Sequence, residues 1–476
     1  MEENNRSKRK KIFKELNEIK TLGELIDYIP MKIIQSIAFI LLFIWSVSLV
    51  ITMIYGSRGV LIDTEDWVSK LNQLYITTIS WYRVLQQVGF LGCGLAILTL
   101  IKSIRDNKKD RIDKSIYLKE RIVPLFLFLM LIWSVLSFLF SDNKTEGLVG
   151  EGFRKDGILT YIAVAGIFSC GYIIRNKRYV KWIIEINTIM ALVQSILILI
   201  NNESVNKFFA LSEGSGIFLN INHAGYYLAM TAMCAMYLII AEKKSKLRLV
   251  FRYIIFAVII AGLVKNTSLG PYLATLCALF STIILAIWLN KSLLGRIMLA
   301  VIIYFIVTIV INITTGQLYI DLQIFGIDLA MIFRGEEDLS RIGTGRGELW
   351  SNGIKIILDN PMFGIGPGNV SNTYLEQMEK HTKPHNEFIE YGVTLGIPGL
   401  LFYVMALFMY LKEFFIKRKN ASLLTMGLLC VTIAYLVSSL IGVIMYHTLA
   451  FFFMFLGLSI GQLSQTKKAL KENEEA

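Results

Sequence analysis

GTGRGELWSNGIKIILDNPMFGIGPGNV (Gly343–Val370) and, after a short polar interval, HTKPHNEFIEYGVTLG (His381–Gly396) form the stretch on which the reading of this chain turns. It contains His381 and His385 together with Pro361, Pro367 and Pro384, so groups that titrate and groups that turn the backbone gather in one place. Everything outward from it is a succession of apolar runs.

Those runs decide the class. The chain has 476 residues, 55% hydrophobic and 18% charged, with a mean hydropathy of +0.57. A membrane-spanning helix needs about 20 mostly apolar residues. Candidate spans start near Ile33, Thr78, Ile122, Ile158, Val180, His223, Val250, Ser268, Ile297, Leu395, Leu423 and Thr448. The expected fold is all-α: a polytopic membrane helix bundle of about twelve transmembrane helices, with one large extracytoplasmic loop containing short helices. Residues 1–32 are read as a cytoplasmic basic tail and 33–313 as nine spans. Residues 314–393 form the outer loop, 394–463 three further spans and 464–476 a cytoplasmic tail.

The net charge of +12 does not mark a nucleic-acid surface. Lys and Arg come in short clusters between apolar runs, mostly in alternate connections, as the positive-inside bias requires. That alternation places both termini inside and the 314–393 loop outside. The N-terminus is too long and polar before its first span for a cleavable signal peptide. Its basic residues suit anionic lipid. The five cysteines all lie within apolar runs without a CxxC pair, so neither a disulfide frame nor a thiolate metal site is indicated.

Within the loop, Thr344 is positioned to cap a helix with apolar residues Leu349, Trp350, Ile354, Ile357 and Leu358 at helical spacing. It should end at Asp359-Asn360-Pro361. GIGPGN (Gly364–Asn369) reads as a rigid turn, and Ser371 as the cap of a second short helix. Arg346 at the start of the first helix combines a fixed planar charge with a helix N-terminus, a pairing suited to phosphate oxygens. The competing reading has it paired with Glu348 or snorkelling to lipid phosphate. His385 stands where the chain re-enters the membrane and can accept a proton near neutrality. Arg154, between Gly152 and Gly157 in another outer loop, can turn back toward the membrane or remain solvated. Lys265 at the outer end of a span marks function or snorkels. Asn222, beside Asn220 and His223, contacts substrate or caps its helix, with the cap favoured.

Gly345-Arg346 with Trp350, then Pro361-x-x-Gly364-x-Gly366, then His385-Asn386 followed by Gly392, Gly396 and Gly399, together resemble the O-antigen ligase and polymerase superfamily. The Asn-rich FLNINHAGYYLA segment and the loop around Arg154 and Gly157 are also similar, and the likeness covers about residues 140–460. It implies a C-type glycosyltransferase-like fold and a metal-independent, inverting transfer. The implied donor is an undecaprenyl-diphosphate-linked glycan, on the outer face of a bacterial plasma membrane. The acceptor would be a glycan, lipid or protein, with no metal and no cofactor. By that resemblance His385 and Arg346 are catalytic. Arg346, Arg154 and Lys265 hold the diphosphate, and Asn386, Glu387, Asn222 and Trp350 contact substrate. One departure is Leu269, which stands where the family often has Arg: either Lys265 or Arg154 supplies that charge, or donor handling differs. The rival reading is a transporter or flippase of lipid-linked oligosaccharide, with Lys265 or Glu185 lining a path. It leaves the long outer loop unexplained.

Overall fold

The computed structural model describes residues 19–59, 67–109, 121–152, 154–209, 211, 214–218, 220–334, 342–378, 383–443 and 445–474. Residues 1–18 of the basic tail, and His381, lie outside them. Among the described residues the elements are helices. In order they are α1 (Leu22–Tyr28), α2 (Met31–Gly59), α3 (Trp67–Lys109), α4 (Ile122–Phe140), α5 (Lys144–Val149) and α6 (Ile158–Ile173). Then come α7 (Lys177–Ile200), α8 (Glu203–Phe209), α9 (Ile221–Ala241), α10 (Lys246–Lys265), α11 (Leu269–Leu289) and α12 (Leu294–Thr315). The loop helices α13 (Gln317–Arg334), α14 (Ile342–Asp359) and α15 (Val370–Met378) precede α16 (Glu387–Lys417), α17 (Leu423–Ser439) and α18 (Tyr446–Glu474).

Each apolar run of the sequence falls on its own helix. Among the described residues, 10 helices are long and apolar enough to cross a membrane. The shorter apolar helices α6 and α17, of 16 and 17 residues, complete the set. Two helices make the centre: 94% of the apolar window of α9 and of α18 is buried, against 22% for α12 at the periphery. The sequence of α9, INHAGYYLAMTAMCAMYLIIA, is rich in small and flexible side chains that let neighbours approach on every side. The same logic is sharper in α6, where a Cβ on Gly166 would collide with the backbone carbonyl of Gly89 in α3. Gly166→Val should therefore lower stability by about 1–3 kcal/mol, the usual cost of overpacking. Thermal unfolding of the detergent-solubilised protein measures this, and an unchanged midpoint would refute the backbone contact.

α16 is broken where it matters. Gly396 has φ +71 and ψ −177, and Pro398 follows. The break frees carbonyls that a bilayer cannot satisfy, so protein must supply the donors. Ile365 N–H donates to Val393 O at 2.9 Å and Gly366 N–H to Thr394 O at 3.0 Å. Trp133 Nε1 of α4 donates to Leu395 O at 3.0 Å, and Ser137 Oγ to Thr394 O at 3.0 Å. The GIGPGN turn is thus a plug in the helix break, with Gly364, Gly366 and Gly368 all at positive φ. The loop helices fold onto it: Leu349 and Ile356 of α14 bury against Val370 and Tyr374 of α15 and Val393 of α16. Ile354 and Leu358, expected on the apolar face, remain 50% and 69% exposed.

The two ends of the bundle differ in chemistry. At one end Arg105 forms a bidentate pair with Asp27 at 2.8 Å, and Arg252 pairs with Glu242 at 2.9 Å. At the other end the 141–157 connection, the start of α9 and the loop helices meet.

Candidate active site

The start of α16 fixes the first part of the site. Asn386 caps the helix, its Oδ1 accepting from Phe388 N at 3.0 Å and Ile389 N at 3.1 Å, while Nδ2 donates to Leu440 O at 2.9 Å. Both ends of that amide are therefore engaged. His385, just before the cap, holds φ +53, a backbone region that few non-glycine residues occupy. Glu387 is buried and accepts from the Tyr403 hydroxyl at 2.7 Å.

Two residues before His385, Lys383 is 1% exposed and sits between two carboxylates. Its Nζ donates to Asp156 Oδ2 at 2.6 Å and to the Glu390 carboxylate. Burial works against the ammonium, but the attraction of Asp156 and Glu390 outweighs it and raises the pKa above its ordinary value. This triad joins the 141–157 connection to the loop and to the first turn of α16. Arg154 lies within electrostatic reach of Lys383.

The second part is the N-terminal turn of α9. Its cap is Asn220, whose Oδ1 accepts from Asn222 N at 2.8 Å, so the cap stands two residues before the one favoured from the sequence. Asn222 instead accepts from Ser268 Oγ at 2.8 Å, next to Leu269 at the start of α11. His223, in the same first turn, is 3% exposed and meets His447 of α18 edge-on, 5.2 Å between ring centroids. His447 is stacked on Trp81 at 4.8 Å. The charges of Lys383, Arg154 and His385 all act on His223. Those of Arg346, Glu387 and Glu390 act on Tyr226, the next turn of the same helix.

Arg346 supplies the third part. Gly345, at φ +92, interrupts the first turn of α14, which begins at Ile342, before the Thr344 cap expected from the sequence. Arg346 is half-buried, and desolvation lowers its guanidinium pKa from the ordinary value while Tyr226 and Asp328 of α13 oppose the shift. Among the described residues no carboxylate lies within ion-pair distance of it, so the Glu348 pairing considered from the sequence does not form.

Arg154 and His385 thus lie within electrostatic reach of His223 in the first turn of α9, and Arg346 and Glu387 within reach of Tyr226, one turn on. Lys265 and Trp350 are not drawn in by any described contact. Lys265 ends α10, and Trp350 packs onto the small core beneath α14 with its Nε1 unpartnered. Ser371, expected as a cap, lies inside α15, which starts at Val370. Sequence reasoning missed Lys383, Glu390, Tyr226 and His447. Glu390 did carry a signal, an acid inside an apolar run. Lys383 looked like any loop lysine. Among the described residues no three His, Cys, Asp or Glu side chains gather as a metal site.

Comparison with known families gives one match: residues 254–404 fit the family model described as O-antigen ligase. No curated protein matches the chain significantly. The matched segment runs from within α10 to within α16 and includes Lys265, Arg346, Trp350, His385, Asn386 and Glu387. The chain is therefore an all-α, polytopic membrane protein in which residues 254–404 match the O-antigen ligase family model.

Proposed function

We propose that this protein is a metal-independent, inverting membrane glycosyltransferase that transfers or polymerises a glycan from an undecaprenyl-diphosphate donor. The reaction takes place on the outer face of a bacterial plasma membrane, with both termini cytoplasmic, and builds a surface polysaccharide. The observation that carries this reading is Arg346: a half-buried guanidinium without a carboxylate at ion-pair distance among the described residues, directly after Gly345 near the start of α14 and within electrostatic reach of Tyr226. A cation so placed costs free energy unless an anion comes to it.

In the reaction the acceptor hydroxyl attacks the anomeric carbon and the bond to the diphosphate oxygen breaks. His385 takes the hydroxyl proton, and the departing diphosphate carries the bonding pair away. Arg346 stabilises the negative charge that grows on that group, as a preorganised donor in a desolvated site. Arg154 supplies the charge missing at Leu269; it is favoured over Lys265 because it shares its electrostatic neighbourhood with His223 and Lys383. Glu387 and Asn386 hold the start of α16, and through it His385, in register. Asn222 is assigned to the sugar.

Release of the lipid carrier in proteoliposomes with lipid-diphosphate glycan tests this. Arg154→Ala should lose about 10²-fold in rate, as removal of one charge-stabilising donor does, and Lys265→Ala much less. A chelator should leave turnover unchanged. Loss on chelation, or the reverse order of the two variants, contradicts the scheme. Product length then separates single transfer from polymerisation.

A further inference from the structure

At the end of the bundle away from the loop, a cavity of about 610 Å³ opens among the start of α7, the end of α9 and the start of α17. Lys177, Arg178, Lys181, Trp182, Glu185 and Tyr237 line it, with Ser422–Leu424 on the α17 side. The charge does not cancel. Glu185 lies 3.7 Å from Lys181, while Lys177 and Arg178 have no carboxylate partner among the described residues. Ser422 Oγ takes the amide of Thr425 at 3.2 Å. Leu423 and Leu424 belong to the first turn of α17, where amides lack intrahelical acceptors and favour an anion.

Beside this cationic wall the surface turns apolar along one face of α7. Trp182, Ile189 and Ile196, spaced seven apart, are 41%, 50% and 41% exposed. On a spanning helix that spacing makes one lipid-facing stripe. Its upper end is the interfacial Trp182, packed by Phe39 of α2 at 5.7 Å. Retention of positive charge on one side of a membrane explains basic residues at this end. It does not explain a cavity with cations on its wall and an apolar track leading away.

We propose that this cavity binds the phosphate-bearing headgroup of one anionic membrane phospholipid, whose acyl chains lie along the Trp182–Ile189–Ile196 face. The inference is independent of the reaction proposed above, since it uses no residue of that site.

Native mass spectrometry of the full chain, titrated separately with short-chain phosphatidylglycerol, short-chain phosphatidylcholine and inorganic phosphate, tests it. A single saturable phosphatidylglycerol adduct is expected. It should weaken about a hundredfold in the Lys177→Gln/Arg178→Gln/Lys181→Gln variant, since each basic residue near anionic lipid contributes roughly fivefold. Trp182→Ala should weaken it as well, and Lys291→Gln/Lys412→Gln, outside the cavity, should not. Equal binding by the triple variant and wild type overturns the site, as does equal affinity for phosphatidylcholine. Saturation by inorganic phosphate at the same concentration overturns the lipid assignment.

Discussion

His385→Ala lowers the rate of lipid-carrier release by about 10²–10⁴-fold, the range expected when a positioned proton acceptor is removed. The position needs a control of its own, because His385 holds φ +53 and alanine adopts that region poorly. Asparagine tolerates it, so His385→Asn keeps the backbone and removes the base. Both variants should be equally slow and both should lose the acid limb of the pH–rate profile. Donor binding should survive in each, because Arg346 and Arg154 remain. Near-normal turnover in His385→Asn would assign the alanine effect to the backbone and remove the base.

Lys383→Met produces the largest loss of stability. It removes the cation that bridges the carboxylates of Asp156 and Glu390, in a place where Lys383 itself is 1% exposed. Removing one partner from a buried charge cluster costs about 3–5 kcal/mol. Neutralising all three groups, Asp156→Asn/Lys383→Met/Glu390→Gln, should recover much of that, because the cost is the stranded charge rather than the lost attraction. Folded yield and thermal midpoint in detergent read both variants. A triple variant as unstable as Lys383→Met would overturn the electrostatic account. The pH dependence has a definite sign. The Lys383 pKa is raised in the fold above its ordinary 10.5. Its contribution is therefore complete below 10.5 and is lost as pH rises through the folded value. The alkaline unfolding limb of wild type should flatten in the triple variant.

The membrane architecture was legible because a bilayer imposes its thickness on sequence. Every apolar run became a helix, the short α6 and α17 included. What was misplaced were the ends. The last-but-two span was expected near Leu395, yet α16 begins at Glu387. Glu387 and Glu390 make its first turn look like loop, while in the fold Tyr403 and Lys383 satisfy them. The break at Gly396 is the feature that the glycine series was announcing. Caps were misplaced by two or three residues at Asn222, Thr344 and Ser371, where neighbouring polar residues compete for the same role.

The candidate site was legible only where one residue carries its own chemistry. Arg346 and His385 stand out by type and setting: a fixed planar charge beside glycines, and a histidine just before the first turn of α16. The triad does not stand out, because Lys383 and Asp156 are 227 residues apart and each looks solvated in its own loop. His223 and His447 come together from α9 and α18, a pairing that no local pattern encodes. Lys265 was singled out for its depth at a span end, a signal that function and snorkelling share.

The most direct test is the position of the diphosphate itself, in a cryo-EM structure of the protein in nanodiscs with a polyprenyl-diphosphate lipid. Phosphate oxygens should lie about 3 Å from the Arg346 guanidinium, in one cavity with His385 and beside the first turns of α9. A diphosphate held elsewhere, with Arg346 and His385 opening to different faces of the bundle, would contradict the proposed site.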